Sequence, residues 1–202
     1  MSEKVYLKVV LLGKVNSGKT CLVTRYITDT FSPEQPSTIG AAFCRKELNI
    51  DGRLLTLAIW DTAGAERYQS LTSMYYRNAG AAVICFDLTD ASSFEKADYW
   101  VSQILANEPK CKIYLCGTKF DLIQDEIKTR AVSKVSIEHY AKGREAEVLE
   151  TSSKTGRNID TLFETLSFTF LSNNDLLLGK GKNLTSRLKL TSSDHQQTSS
   201  CC

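Results

Sequence analysis

Apolar residues along the chain fall into short dense runs separated by longer stretches in which they recur every three to four positions, the pattern of strands joined by crossover helices. Lys8–Leu12 reads as a buried strand, and Gly18–Ile27 behind it as a helix opened by a glycine-containing turn. Phe43–Ile50 and Leu54–Trp60 read as two strands about Asp51-Gly52, a dipeptide whose residues both favour positive φ, so this pair is the one antiparallel element. Further strands are predicted over Ala82–Asp87, Lys112–Cys116 and Glu147–Glu150, with helices over Glu66–Asn78, Ser93–Ala106, Ser133–Lys142 and Asn158–Leu171. The expected class is α/β: a six-stranded, mostly parallel sheet with one antiparallel strand and five flanking helices.

The pattern stops near Ser172. Beyond it Asn, Ser, Thr, Gln, Lys and Gly dominate, and Gly179–Ser200 contains only three leucines as large apolar residues. Residues 1–172 are therefore read as one domain and 173–202 as a flexible tail, in which the sequon Asn183-Leu184-Thr185 is idle. A chain of 202 residues with 42% hydrophobic content builds a core of its own, and it contains no internal repeats. Lys and Arg (25) against Asp and Glu (23) leave a net charge of +2, too balanced for a nucleic-acid partner or an acidic lipid surface held by charge alone. The longest dense apolar stretch, Ala79–Phe86, is strand-sized, and Met1-Ser2-Glu3-Lys4 lacks both a signal-peptide core and the glycine that myristoylation requires. A cytosolic chain is expected. Of seven cysteines, five are internal and read as reduced, mostly buried thiols; with two histidines, no zinc set assembles at the usual spacings.

The chemistry concentrates in loops that follow strands. Gly13-Lys14-Val15-Asn16-Ser17-Gly18-Lys19-Thr20 fits GxxxxGK[ST] between a strand and a helix. Such a loop turns its NH groups around a β-phosphate, Lys19 reaches the β- and γ-phosphate oxygens, and the Thr20 hydroxyl ligates magnesium. Asp61 in Asp61-Thr62-Ala63-Gly64 suits a magnesium-bound water, and Gly64 lets a backbone NH approach a γ-phosphate. In Thr118-Lys119-Phe120-Asp121, the Asp121 carboxylate matches the N1 and N2 hydrogens of guanine, which adenine lacks, and the Lys119 stem can lie along the base. Ser152-Ser153-Lys154 follows the last strand, where an NH near Ser153 can meet guanine O6.

Taken in order, Gly13–Thr20, Thr38, Asp61–Gly64, Thr118–Asp121 and Ser152–Lys154 resemble the five nucleotide-binding elements of Ras-like small GTPases over about residues 5–172. Ile39–Phe43, Ala65–Tyr68 with Tyr75-Tyr76-Arg77, and the terminal Cys201-Cys202 are similar to the effector stretch, second switch and prenylation site of Rab proteins. The resemblance implies a phosphate-loop G domain that binds GTP or GDP with Mg2+. Its nucleotide site comprises Gly13, Val15, Asn16, Ser17, Gly18, Lys19, Thr20, Cys21, Phe31, Thr38, Gly64, Thr118, Lys119, Asp121, Ser152, Ser153 and Lys154. Thr20, Thr38 and Asp61 form the metal set, Lys19 and Gly64 act in catalysis, and Phe31 is the aromatic edge-on to the base. It further implies two prenyl groups on Cys201 and Cys202, since one lipid chain gives only marginal anchoring. The expected partners are effectors, an exchange factor, an activating protein, a prenylation escort and a GDP-dissociation inhibitor, with the membrane reached through the lipidated tail, no nucleic acid and a monomeric chain.

Three departures stand out. Thr118 replaces the family's Asn and cannot offer an amide's donor and acceptor to guanine N7 and the phosphate loop together. Ala65 replaces the Gln after DTAG and cannot orient an attacking water, so intrinsic hydrolysis is expected to be slow. Asn16 occupies a position usually given to Gly and is expected in the left-handed region. Together they resemble an atypical Rab branch linked to endosomes and autophagy. The implied function is a guanine-nucleotide switch in vesicle traffic on the cytoplasmic face of internal membranes. Two alternatives are a GTP-binding interaction module with negligible turnover and a small nucleoside kinase, for which the chain shows no arginine-rich lid.

Overall fold

The alternation of strands and helices is present in the computed structural model, which describes residues 4–65 and 69–177. In chain order the elements are β1 (Lys4–Leu12), α1 (Lys19–Thr28), β2 (Ala41–Ile50), β3 (Arg53–Thr62), α2 (Gln69–Tyr76), β4 (Ala81–Asp87), α3 (Ala91–Asn107), β5 (Lys112–Thr118), α4 (Phe120–Gln124), α5 (Lys134–Lys142), β6 (Glu147–Glu150) and α6 (Ile159–Leu177). The strands form one six-stranded sheet in the order β2-β3-β1-β4-β5-β6. Every neighbouring pair is parallel except β2 with β3. Asp51 and Gly52 have φ of 51° and 79° and close that hairpin with Ile50 opposite Arg53, which is the turn their chemistry favours.

Alternate residues of β1 supply two cores. Leu7, Val9 and Leu11 face α1 and α6, where the rings of Tyr26 and Phe163 stack at 3.7 Å between centroids. Val10 and Leu12 face the other way, toward Trp100, Val101 and Ile104 of α3. Strand β4 lies inside the sheet with helices over both faces, and all of Ala81–Asp87 is buried, which is why its sequence is a continuous apolar run. The five internal cysteines are free thiols, with Cys85, Cys111 and Cys116 buried.

The described residues contain six helices where five were expected. The addition, α4, spans only five residues, too few for any helical periodicity to register. Helix α6 runs to Leu177, past the expected end at Leu171, because the polar run beginning at Ser172 changes what the helix can bury and not whether its backbone bonds continue. Helix α2 ends at Tyr76, before the expected Asn78, which takes φ 57° and turns the chain away. Residues 66–68 of that expected helix, and the tail from 178 with Cys201 and Cys202, lie outside the described residues. No helix among the described residues is long and apolar enough to cross a membrane.

Because β1, β3, β5 and β6 are parallel, their carboxyl ends reach one edge of the sheet, and the loops carrying the candidate residues meet there.

Candidate functional site

The loop after β1 is built to keep its backbone exposed to a ligand. Gly13 has φ 146°, and a Cβ there would sit 2.2 Å from the Cys85 carbonyl oxygen, so no side chain fits. Asn16 takes φ 63°, the left-handed conformation expected of it. Helix α1 begins at Lys19 with no side-chain cap, whereas α3 and α5 are capped by Asp90 and Ser133; the free NH groups of α1 open into the cleft. The Lys19 ammonium donates to the Gly13 and Lys14 carbonyls at 3.0 and 2.9 Å and is held within the loop. Burial lowers its pKa, against the pull of nearby Asp61.

Beside Lys19, three oxygen donors from three segments converge. Thr20 Oγ1 donates to Asp61 Oδ2 at 2.8 Å and lies 2.9 Å from Thr38 Oγ1. The second carboxylate oxygen, Asp61 Oδ1, is buried with no hydrogen-bond partner, as is Ser17 Oγ. Burial pushes the Asp61 carboxyl above the ordinary carboxylate range, opposed by the Thr20 hydroxyl, the Lys19 ammonium and the Thr38 hydroxyl. Two hydroxyls and an unsatisfied carboxylate oxygen are the donor set of a hard divalent cation, and the expected metal residues fit Mg2+.

Gly64 approaches the same loop from β3. A Cβ on it would come within 2.5 Å of the Val15 nitrogen, so the close contact of these two backbones depends on glycine. Ala65 lies alongside, in the wall of the cleft.

The opposite end of the cleft is assembled by β5 and β6. Thr118 is buried, and its hydroxyl donates to the Ser17 carbonyl at 2.8 Å and the Phe86 carbonyl at 3.0 Å. Lys119 has φ 60°, caps α4 and pairs with Asp87 at 2.8 Å. Asp121, buried in α4, accepts a 2.6 Å bond from the Ser152 hydroxyl. The Phe120 NH donates to the Thr151 carbonyl, which fastens the two loops together.

These parts enclose one cleft of about 480 Å3. Val15, Asn16, Gly18, Lys19, Thr20, Cys21, Phe31, Thr38, Gly64, Thr118, Lys119, Asp121, Ser153 and Lys154 line it, so most of the expected residues are brought together. Gly13, Ser17, Asp61 and Ser152 are not in the wall; they support it from behind through the contacts above. Sequence reasoning missed Thr62, Leu122 and, between α1 and β2, Pro33, Gln35, Pro36 and Ser37, all of which also line the cleft. It also missed Asp87, whose signal was present: a carboxylate closing an otherwise apolar strand.

The chemistry of this arrangement is consistent at both ends: amide donors and an ammonium for phosphates, hard oxygens for a cation, and an acceptor pair for a base that donates. The chain matches the model of the Ras family over residues 8–171. It is 46% identical to "Ras-related protein Rab-24" of Dictyostelium discoideum over 168 residues, covering 83% of this chain and 82% of the relative. Identity is 43% to "Ras-related protein RABF2a" of Arabidopsis thaliana, with 80% of each chain covered. It is 44% to "GTP-binding protein ypt5" of Schizosaccharomyces pombe, covering 79% of this chain and 75% of the relative.

Proposed function

The chain belongs to the Ras superfamily of small GTPases and within it to the Rab family, and from that premise we propose that its cleft binds GTP and GDP with Mg2+ and that the bound nucleotide sets a switch in vesicle traffic. The observation that carries the reading is one cleft with Lys19, Thr20, Thr38 and Asp61 at one end and Asp121 at the other.

Each residue then has a role that its surroundings support. The loop Gly13–Thr20 and Lys19 hold the phosphates, and Asp121 holds the guanine N1 and N2 hydrogens, with Ser152 fixing its rotamer. Phe31, Lys119, Ser153 and Lys154 line the base and ribose side, and Val15, Asn16 and Cys21 the phosphate side. Thr20, Thr38 and Asp61 would hold the metal; when bound, Mg2+ neutralises charge on the phosphate oxygens. Gly64 places its NH where the presence of a γ-phosphate can be sensed, because its backbone already lies against Val15. Ala65 supplies no side-chain hydrogen bond to an attacking water, which supports slow intrinsic hydrolysis.

An effector surface is supported next to the switch segments. Ile39, Phe43 and Met74 are large apolar side chains that stand exposed, and Phe43 and Tyr75 both pack on Trp60. We further propose prenylation of Cys201 and Cys202, which lie beyond the end of α6 at Leu177. An escort and a GDP-dissociation inhibitor would serve that anchor, and an exchange factor and an activating protein the cycle of a monomeric chain. The departures at Asn16, Ala65 and Thr118 support an endosomal or autophagic membrane. Competition binding of GTP against ATP, with and without Mg2+, tests the central reading; a chain that took ATP as well as GTP would contradict it. Single-turnover hydrolysis separates a slow switch from an interaction module without turnover.

A further inference from the structure

Thr118 occupies a junction. Its hydroxyl reaches back to Ser17 of the phosphate loop and sideways to Phe86 at the end of β4, while its residue lines the cleft three positions before Asp121. A hydroxyl has a single proton. Here that proton is shared between two backbone carbonyls, at 2.8 and 3.0 Å, and the side chain is 2% exposed, so it has no freedom to swing toward another acceptor. With its one proton committed, the Thr118 hydroxyl has no hydrogen to offer the cleft that the residue lines.

Guanine is asymmetric in what it asks for. Its N1 and N2 are donors, met by the Asp121 carboxylate, whereas N7 is an acceptor and needs a donor. The charged donor next to Thr118 in the chain, the Lys119 ammonium, is held by Asp87 at 2.8 Å. Neither group is available to N7.

We propose that Thr118 is a tether for the phosphate loop and not a reader of the base, and that this site therefore leaves N7 unrecognised and accepts guanine nucleotides altered at position 7. The inference rests on the guanine-nucleotide reading given above and extends it to the specificity of the base pocket. It separates two tasks: Asp121 selects guanine, and Thr118 holds Ser17 and Phe86 in register so that the loop keeps its shape.

The test is the affinity of GDP against 7-deaza-GDP, in which N7 is a CH of nearly the same shape, for the full-length chain freed of bound nucleotide. Wild type is expected to bind the two within about threefold of each other; a larger preference for GDP would overturn the proposal. Thr118→Asn offers two amide protons, so it can hold Ser17 and still donate, and it is expected to prefer GDP by about fivefold or more. No gain in that preference would show that position 118 does not decide how N7 is read, and would overturn it. Thr118→Val keeps the shape without the proton, and is expected to weaken both nucleotides equally, by roughly tenfold, with their ratio unchanged. Undiminished binding in the Val variant would overturn the tether. The wild-type comparison needs no variant to fold, and absence of GDP binding altogether would count against the guanine-nucleotide reading and not against Thr118 in particular.

Discussion

The Ser152 hydroxyl donates to Asp121 Oδ1 at 2.6 Å, across 31 residues of sequence, beside the Phe120–Thr151 backbone bond that also joins the segments after β5 and β6. Both residues are buried. The bond leaves the second oxygen of Asp121 and a remaining lone pair for a ligand, and it prevents the carboxylate from rotating away when the cleft is empty. Ser152→Ala is expected to weaken guanine nucleotide by about 1.5 kcal/mol, roughly tenfold, and also to lower the thermal stability of the free protein, because the same hydroxyl accepts the Thr155 NH at 3.2 Å. Isothermal titration with GDP measures it; an unchanged affinity would mean that Asp121 is positioned by α4 alone.

Asp87 and Lys119 form the second clamp on the base side. Burial raises the Asp87 carboxyl, but the Lys119 ammonium and the NH and hydroxyl of Thr89 outweigh it, and the net shift is downward. A carboxylate depressed in the folded state contributes its stability in full above the unfolded-state value near 4 and loses it as pH falls through the folded-state value. Asp87→Asn should therefore melt below wild type by an amount worth about 1 kcal/mol at pH 7, and the two should converge as pH falls below about 4. Melting curves from pH 3 to 7 check the convergence, and a gap that persists in acid would point to packing instead of charge.

The hydrolysis timer is tested at Ala65, which lines the cleft beside Gly64. Ala65→Gln restores a carboxamide able to orient water, and intrinsic GTP hydrolysis should rise, by up to about 10² to 10³, the lower part of that range fitting a positioning role. Phosphate release in single turnover with saturating Mg2+ reads it directly. Equal rates in wild type and variant would move attention to Asn16 in the phosphate loop or to nucleotide held loosely at Thr118.

Much of this cleft is legible in the sequence. Gly13–Thr20 carries its spacing in the sequence because a backbone cradle needs glycines and a lysine at fixed positions, and Asp51-Gly52 announced its hairpin for the same local reason. What could not be read was long-range or short. The Thr118 hydroxyl bonds Ser17, 101 residues away, and no local pattern records that. Helix α4 is five residues long and leaves no periodic trace. Pro33, Gln35, Pro36 and Ser37 enter the cleft wall because of the path between α1 and β2, which their composition does not encode. Thr118 lacks an amide's reach, yet its hydroxyl keeps the hold on the phosphate loop through the Ser17 carbonyl.

The proposed lipid anchor predicts a clean separation of functions. Removing Cys201 and Cys202 should leave nucleotide binding intact and shift the chain from membrane to soluble fractions, since two lipid chains and not the G domain would carry the attachment. Fractionation of cells expressing both forms decides it, and membrane retention of the shortened chain with nucleotide still bound would show another anchor.

Guanine selection through Asp121 is tested by changing that residue alone. In Asp121→Asn the side-chain amide can donate to the extra oxygen at C2 of xanthine while its carbonyl accepts from the ring NH. The measurement is competition of GTP, XTP and ATP for wild type and variant at saturating Mg2+. Wild type is expected to take GTP and reject XTP and ATP, and the variant to lose GTP and gain XTP. A variant that kept GTP and gained nothing, or a wild type indifferent to the base, would contradict it.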